Sequence, residues 1–360
     1  MLKELFYPLV KYFTPFNVFQ YITFRAAYAA ITSLLLSFVL GPWVIEKLRK
    51  LKAGEEIREL GPSTHKSKSG TPTMGGLFIV FSTVFSVLLW QDIHYPFTWV
   101  LVASLLSFGL LGFIDDYLKV FKKNKEGLRA SIKFIGQILI SLVLTGLILL
   151  FSNEYSTLLY LPFIKTPVIN LSYWYVPLAV MFVVGYSNAV NLTDGLDGLA
   201  AGLVIFVGFA LAIFAYLTGR VDFSEYLQIP YISGAGELSV FALALVGACV
   251  GFLWFNCHPA EVMMGDTGSL SIGGTLAVFS MLIKKEILLL IVGGVFILET
   301  LSVILQVLSY KLRNGKRIFK MAPLHHHFEL SGWPESKVVI RMWILGGLFA
   351  IIGLSTLKVQ

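Results

Sequence analysis

The aspartates of this sequence are few, and most of them lie at the ends of long apolar segments. Seven aspartates occur in the 360 residues. Five of them lie in stretches that also hold lysines, glycines or amides: Asp115, Asp116, Asp194, Asp197 and Asp266. Carboxylates are preferred ligands of Mg²⁺, and lysines pair with phosphate. The five aspartates therefore indicate a magnesium and phosphate site.

Two of these carboxylates are adjacent in the chain. Asp115 and Asp116 point about 100° apart if the segment that carries them is helical. We expect them to have different roles: one holds a metal or activates a nucleophile, and the other orients it or binds a lysine. The alternative is a pair of solvated residues whose charges Lys119 and Lys122 neutralise.

A second polar group recurs at every third residue. It consists of Asn188, Asn191, Asp194 and Asp197. If a helix continues through all four, they form one polar stripe, and Gly195 and Gly198 then let the backbone leave the helix and approach a ligand closely. The alternative is an ordinary turn built from residues that favour turns.

A third group surrounds Asp266. Asp266 and Thr267 immediately precede an apolar run, so either of them can cap the helix that starts there. Helix N-termini also attract phosphate, and a carboxylate beside phosphate is a place where Mg²⁺ binds. The alternative is capping alone.

Three consecutive histidines lie in the lysine- and arginine-rich loop at 309–337. His325, His326 and His327 can turn at most two rings towards one pocket, because adjacent side chains diverge. A zinc site is disfavoured, because no cysteine ligands lie nearby and the HExxH spacing is absent from the sequence. Imidazoles that donate hydrogen bonds to phosphate fit better beside lysines and Mg²⁺. The alternative is a solvated polar loop.

Lys68 and Thr73 are weaker candidates. They precede an apolar segment and can reach a nucleotide phosphate from the side. The sequence holds no Walker A loop and no GxGxxG motif. A nucleotide is therefore not expected to bind in the manner of a P-loop or a Rossmann fold.

Two charged residues lie inside apolar segments. Lys133 falls about one turn inside its segment, where an unpaired ammonium is costly, so it should snorkel to the interface or pair with Asp115 or Asp116. Glu299 follows a pair of glycines at 293–294. It either marks a break in that helix or lines a cavity.

The composition indicates what holds these residues. Hydrophobic residues make up 56% of the chain, charged residues 14%, and the mean hydropathy is +0.78. A soluble domain carries roughly 25% charged residues, so lipid must be the main solvent. Ten segments are apolar over about the 20 residues that a spanning helix needs: 19–41, 74–91, 97–114, 131–151, 171–190, 198–217, 238–256, 268–284, 286–308 and 338–357. We expect an all-α polytopic integral membrane protein with about ten transmembrane helices, in which residues 1–360 form a single domain.

The basic loops predict the orientation. Lysine and arginine concentrate in loops 42–73, 115–130 and 309–337, and the positive-inside rule puts these loops in the cytoplasm. Ten spans then leave both the N-terminus and the C-terminus outside, with the five clustered aspartates at the cytoplasmic face. The net charge of +7 follows from this topology, so it does not call for a nucleic acid partner.

Several motifs occur in a fixed order over essentially the whole chain. They are TPTMGG at 71–76, GFIDDY at 112–117, NAVNLTDGLDGLA at 188–200, GFLWFN at 251–256, GDTGSL at 265–270 and APLHHH at 322–327. With them the sequence resembles the phospho-N-acetylmuramoyl-pentapeptide transferases, a branch of the polyprenyl-phosphate N-acetylhexosamine-1-phosphate transferases. The triple histidine followed by Glu329 favours the muramoyl-pentapeptide branch. The departures are small: Thr267 stands where valine is common, and Cys257-His258 varies a tolerant position.

The resemblance implies a reaction and a set of site residues. Phospho-MurNAc-pentapeptide passes from UDP-MurNAc-pentapeptide to undecaprenyl phosphate with Mg²⁺, giving lipid I and UMP. The implied setting is a homodimer among the membrane lipids of the bacterial inner membrane. Asp266 becomes the metal ligand, while Asp115 and Asp116 act on the lipid phosphate. The other implied residues line the site (Asn188, Asn191, Asp194), lie near the uridine (Gly195, Leu196, Asp197, Asn256) or contact phosphates (Lys68, Thr73, Lys133, His325, His326, His327).

Two mechanisms and two other functions stay open from the sequence. The lipid phosphate attacks directly, or the reaction passes through a covalent phospho-aspartate on Asp115 or Asp116. We favour direct attack, because a lipid phosphate is already anionic near neutral pH. The alternative functions are a sister transferase that uses UDP-GlcNAc and, less favoured, a transporter, which would place polar residues near the bilayer midplane in paired repeats.

Overall fold

Helices make up most of this protein. The computed structural model describes residues 1–51, 70–122, 127–151, 157–162, 164 and 169–358. Its α-helices are α1 (Leu2–Phe6), α2 (Ile22–Lys50), α3 (Gly76–Trp90), α4 (Pro96–Phe121), α5 (Ala130–Phe151), α6 (Tyr175–Thr193), α7 (Leu199–Thr218), α8 (Val221–Leu227), α9 (Leu238–Asn256), α10 (Gly265–Leu282), α11 (Glu286–Val292), α12 (Gly294–Leu312), α13 (Leu324–Glu329) and α14 (Glu335–Ser355).

Short irregular elements lead into these helices. Turns of 3-10 helix lie at Tyr7–Lys11, Thr14–Gln20, Ser172–Trp174, Ala235–Glu237 and Thr356–Lys358. Between α5 and α6, strand β1 (Leu158–Leu159) pairs antiparallel with β2 (Ile169–Asn170). Among the residues that the structure describes, this two-residue pairing is the departure from the expected all-α fold.

Eight helical segments in the described part of the chain are long and apolar enough to cross a membrane. They confirm the expectation of a helical, polytopic membrane protein. Each of the ten predicted spans contains a helix. However, α3 has only 15 residues, and α10 is not among the eight segments that are long and apolar enough to cross a membrane. The count of ten spans and the position of the termini stay predictions.

Two of the predicted spans have different bounds in the structure. α2 continues through Pro42 to Lys50, well beyond the predicted end at residue 41. The predicted span 286–308 is two helices, α11 and α12, with a break at Gly293. A Cβ atom at Gly293 would overlap the hydroxyl of Tyr186, so the break lies where α6 packs closely. Glu299 lies within α12, beyond this break.

α10 is the most enclosed helix. Every residue from Thr267 to Leu282 is buried, and α10 packs against α3, α4 and α6. Its many glycines, serines and threonines let neighbouring backbones approach closely, as is usual between membrane helices. In contrast, only 28% of an apolar 18-residue stretch is buried in each of α2, α5 and α12. These three helices therefore turn broad faces outward.

Two glycines bring the first turn of α10 against its neighbours. A Cβ atom at Gly112 in α4 would overlap the backbone of Asp266, and one at Gly76 in α3 would overlap the backbone of Gly268. Any larger residue at either position would push the start of α10 away. These contacts place Asp266 next to the carboxyl end of α4, where Asp115 and Asp116 lie.

Candidate active site

Several helix ends meet around one cavity of about 550 Å³. They are the C-terminal ends of α4 and α6, the N-terminal ends of α5 and α10, and the first turn of α13. The lining consists of Thr73, Asp115, Asp116, Lys119, Leu128, Ala130, Lys133, Asn191, Leu192, Asp194, Gly195, Met263, Gly265, Asp266, Pro323, His325 and His326. Ten of the residues singled out in the sequence are thus brought together at one end of an apolar bundle.

Two carboxylates and two lysines form the charged centre of the cavity. Lys119 Nζ lies 2.6 Å from Asp115 Oδ2 and 3.0 Å from Asp266 Oδ2. Lys133 Nζ lies 2.7 Å from Asp266 Oδ2 and 3.9 Å from Asp115 Oδ2. The main partner of Lys133 is therefore Asp266, rather than Asp115 or Asp116 as the sequence predicts, because α5 packs against α10 as well as α4.

Asp116 binds the N-terminus of α10. Its Oδ1 accepts a hydrogen bond from the backbone N–H of Asp266 at 3.1 Å, and its Oδ2 accepts from the backbone N–H and the hydroxyl of Thr267 at 2.9 and 2.6 Å. A carboxylate is favoured at this end of a helix dipole. Asp116 therefore supplies the cap that the sequence assigns to Asp266 or Thr267, which lie in the first turn instead.

The two asparagines of α6 have different partners. Asn191 Nδ2 donates to Asp266 Oδ1 at 2.6 Å and to Ser269 Oγ at 2.8 Å, so it holds the Asp266 carboxylate from the side opposite the lysines. Asn188 Nδ2 donates to Gln137 Oε1 at 2.9 Å and ties α6 to α5. Asn191 lines the cavity, whereas Asn188 supports the helix behind it.

The polar stripe predicted in this region stops at the second asparagine, because α6 ends at Thr193. Asp194 and Gly195 lie in the turn that follows and line the cavity. Leu196 and Asp197 are buried behind that turn, each with 2% exposure, and neither belongs to the lining. Of the four predicted polar residues, Asn188 and Asn191 therefore lie in the last turns of α6, whereas Asp194 and Asp197 lie after the helix.

A network of polar side chains, in which Asp197 is buried and His258 is exposed, fixes this turn. Asp197 Oδ2 lies 2.9 Å from His258 Nδ1, which lies 3.7 Å from Glu335 Oε2. Asn256 Oδ1 accepts a hydrogen bond from the backbone N–H of Gly198 at 3.0 Å. Glu335 accepts a hydrogen bond from the backbone N–H of Asp197. The sequence did not suggest this residue, because the two partners are 138 residues apart in the chain.

The three histidines occupy different environments. His325 is fully buried and lines the cavity together with His326, whose Nδ1 lies 2.9 Å from Glu329 Oε2. His327 does not belong to the lining, and its Nδ1 accepts a hydrogen bond from the backbone N–H of Lys320 at 3.1 Å. Two of the three rings thus meet one pocket, which is the largest number that adjacent positions allow.

One of the two weaker candidates and one missed residue complete the described part of the cavity lining. Thr73 lines the cavity and is 5% exposed. Lys68 lies outside the described residues. Lys119 contacts both central carboxylates, although sequence reasoning considered it only as a neutralising partner. Lys119 follows Asp115 by four residues and so lies on the same face of a helix, and this spacing could have predicted the contact with Asp115.

Known proteins are similar to this chain over its full length. Residues 98–284 match the family described as glycosyl transferase family 4, and residues 68–80 match phospho-N-acetylmuramoyl-pentapeptide-transferase signature 1. Phospho-N-acetylmuramoyl-pentapeptide-transferases of Nitratidesulfovibrio vulgaris (strain DP4) and Syntrophus aciditrophicus (strain SB) are 53% and 50% identical over 360 residues, with 100% of both chains covered in each comparison. The chain belongs to the phospho-N-acetylmuramoyl-pentapeptide transferase family.

Membership of this transferase family confirms the resemblance seen in the sequence. The match at 98–284 covers nearly all of α4 and the whole of α5 to α10, and therefore includes Asp115, Asp116 and Asp266. The signature at 68–80 includes Thr73 and favours this family over the sister transferases with a UDP-GlcNAc donor. The three histidines lie beyond the matched region, and the cavity brings two of them to the same site.

The donor atoms at the centre of the cavity suit a hard cation. One carboxylate oxygen from each of Asp115, Asp116 and Asp266 lies within 4.8 Å of the others. An all-oxygen set of carboxylates is typical of Mg²⁺ rather than zinc. Lys119 and Lys133 already balance part of this negative charge, so the set fits a single divalent ion that shares the site with two lysines.

Proposed function

We propose that this protein transfers phospho-MurNAc-pentapeptide from UDP-MurNAc-pentapeptide to undecaprenyl phosphate. The products are lipid I and UMP, and the reaction serves peptidoglycan synthesis. The observation that carries the proposal is identity of about 50% over the full length with transferases of this name. The cavity adds physical support, because it collects carboxylates, lysines and histidines at one end of an apolar bundle, where a soluble and a lipid substrate can meet.

The chemical step is an in-line displacement at phosphorus. An oxygen of the lipid phosphate attacks the phosphorus that carries the sugar. A new P–O–P bond to the lipid forms, the P–O bond to UMP breaks, and UMP leaves with the electron pair. Phosphoryl transfer needs positioning and neutralisation of charge more than covalent chemistry.

The residues of the cavity supply that positioning. Lys119 and Lys133 neutralise the pyrophosphate as negative charge moves onto UMP. Asp266 and Asp115 would hold Mg²⁺, which would supply further positive charge to the pyrophosphate. Asn191 holds the Asp266 carboxylate in place through its 2.6 Å hydrogen bond.

The hydrogen bonds of the adjacent aspartates favour direct attack over a covalent intermediate. Both oxygens of Asp116 accept hydrogen bonds from the first turn of α10. Asp115 Oδ1 accepts from the backbone N–H of Leu128 at 2.8 Å, and Oδ2 contacts Lys119. A carboxylate that is held in this way is a weaker nucleophile than a free lipid phosphate. Asp115 is then left to orient the lipid phosphate.

A donor-dependent assay of UMP release tests the function. Purified protein, stripped of co-purified lipid, receives undecaprenyl phosphate with either UDP-MurNAc-pentapeptide or UDP-GlcNAc, with and without Mg²⁺. We expect UMP only with the muramoyl donor and only with the metal. UMP release with UDP-GlcNAc alone would indicate the sister reaction, and the absence of UMP with both donors would contradict a transferase.

The same stripped protein distinguishes the two mechanisms. Without undecaprenyl phosphate, direct attack predicts no burst of UMP when the UDP donor is added. A burst equal to the enzyme concentration, lost in one asparagine variant of Asp115 or Asp116, would instead support a phospho-aspartate.

We further propose that the cavity faces the cytoplasm of the bacterial inner membrane, with ten spans, both termini outside and a homodimeric assembly. The basic loops support this orientation, because each of the three loops contributes residues to the lining of the cavity, such as Thr73, Lys119 and His325. Cys257 is exposed at this end of the bundle, and Cys249 is buried. A membrane-impermeant thiol reagent should therefore label Cys257 only in inside-out vesicles. Light scattering of the detergent-solubilised protein tests the dimer.

A further inference from the structure

A carboxylate and an imidazole meet inside the protein behind the cavity. Glu299 lies on α12 and His325 lies in the first turn of α13, and neither side chain is exposed to solvent. His325 Nδ1 lies 3.3 Å from Glu299 Oε2, and the backbone N–H of His325 donates to the same oxygen at 3.4 Å. A carboxylate inside a membrane helix is costly and usually marks a functional position.

The other ring nitrogen of His325, Nε2, lies against Gly195. His325 and Gly195 both line the cavity, and a Cβ atom at Gly195 would overlap His325 Nε2. Within the described residues, both ring nitrogens of His325 are buried and neither makes a hydrogen bond: Nδ1 lies within ion-pair distance of Glu299, whereas Nε2 has no partner. A buried polar atom without a partner costs free energy. A ligand atom in the cavity that accepts a hydrogen bond from Nε2 would remove this cost.

We propose that Glu299 is a positioning residue for the transfer reaction and that it acts through His325. This inference rests on the proposed function. The Glu299 carboxylate holds a proton on Nδ1 and balances the positive charge of the ring, as carboxylates do behind functional histidines. Nε2–H of His325 then donates to an oxygen of the donor pyrophosphate. The absence of a side chain at Gly195 lets the His325 ring pack this close to the turn that lines the cavity.

Neutralising the carboxylate tests its role. Glu299→Gln keeps the length of the side chain and an acceptor oxygen, and it removes the charge. We expect kcat for UMP release to fall roughly 10- to 100-fold, with little change in KM for the UDP donor and a nearly unchanged Tm. Glu286→Gln is the matched control, because Glu286 is also a buried carboxylate and pairs with Lys284 at the opposite end of the bundle. It should leave kcat unchanged.

A double variant shows whether the effect passes through the imidazole. In a His325→Asn background, Glu299→Gln should lower kcat by less than about twofold, because the coupled partner is already gone. An equal loss in both backgrounds would show that Glu299 acts independently of His325 and would overturn the proposal.

A spectroscopic measurement gives a result that does not depend on activity. In ¹⁵N NMR of histidine-labelled protein, His325→Asn identifies the resonances of His325. We expect these resonances to show a protonated Nδ1 and to shift in Glu299→Gln but not in Glu286→Gln. Unchanged resonances in Glu299→Gln would overturn the positioning role. If they shift as expected and the wild-type protein releases no UMP, the proposed function fails while the contact between Glu299 and His325 stands.

Discussion

Both ends of the helix bundle bury charged side chains, but the charges are arranged differently. At the end opposite the cavity, Arg25 donates to both oxygens of Glu237 at 2.6 and 2.5 Å and to the backbone carbonyl of Trp90 at 3.2 Å. Lys284 Nζ lies 3.0 Å from Glu286 Oε1. These contacts match one positive group with one negative group.

At the cavity end, like charges are brought together. Oxygens of three carboxylates lie within 4.8 Å of one another beside two lysines and an open cavity. Repulsion between carboxylates at this distance is unfavourable, and such arrangements are typical of sites that bind cations and substrates. The difference indicates that the opposite end stabilises the fold and that the cavity end holds charge for a ligand. Variants at the two ends test this division.

The largest expected effect is at the adjacent aspartates. We expect Asp115→Asn and Asp116→Asn each to lower kcat by about 10²- to 10⁴-fold, the range for positioning and proton-transfer roles, and to keep measurable activity. Only Asp116→Asn should also lower Tm, because it weakens the cap of α10. Steady-state kinetics and thermal melting of both variants check this. Complete loss of chemistry in one of them would indicate a nucleophilic aspartate.

Asp266→Asn should have the next largest effect. The amide keeps the shape of the side chain and removes the charge that the two lysines and Mg²⁺ are expected to share. We expect kcat to fall by about 10²-fold or more, which is about 2.7 kcal/mol of activation free energy, with Tm nearly unchanged. Asp222→Asn, in an exposed pair with Arg220, is the control. Normal turnover of Asp266→Asn at limiting Mg²⁺ would refute the metal assignment.

Arg25→Met should show the reverse pattern at the other end. The change leaves Glu237 without its partner, and because Glu237 keeps 12% of its side chain exposed, we expect a loss of about 2 kcal/mol of stability rather than the full cost for a sealed pair. The kcat of the folded protein should not change. Arg220→Met removes an exposed arginine at the same end and should leave Tm unchanged. A fall in kcat of folded Arg25→Met would contradict the division between the two ends.

The smallest expected effect is that of Thr267→Val. The variant removes the hydroxyl that donates to Asp116 Oδ2 at 2.6 Å and keeps the two backbone N–H donors of the cap. We expect a loss of about 1 kcal/mol of stability and an unchanged kcat, measured by thermal melting and UMP release. A large fall in kcat would mean that the hydroxyl orients Asp116 for chemistry rather than for capping.

The helices could be predicted from the sequence because length and hydropathy are local properties. Each predicted span contains a helix, yet the extension of α2 to Lys50 and the break at Gly293 were missed. The first continues the helix past an internal proline, and the second depends on Tyr186, a residue more than 100 positions away. The β1–β2 pairing was missed because two-residue strands leave no periodic pattern.

The site was predictable by residue type but not by partner. Polar residues at span ends predicted a cluster, and the cavity contains ten of the residues named from the sequence. Which lysine meets which carboxylate depends on helix packing, and so the main partner of Lys133 was missed. The capping role of Asp116 and the contact between Glu299 and His325 also join separate helices, for which a single sequence carries no signal.

The burial of α10 has a consequence for how the protein loses activity on heating. Asp266 lies in the first turn of a helix that is enclosed from Thr267 to Leu282. Amides in such a helix exchange with solvent only when most of the structure opens, whereas less enclosed elements open locally. We therefore do not expect local fraying of the helix to displace the Asp266 carboxylate from the cavity. Heat inactivation should accompany unfolding of the whole bundle, without an earlier loosening at this carboxylate.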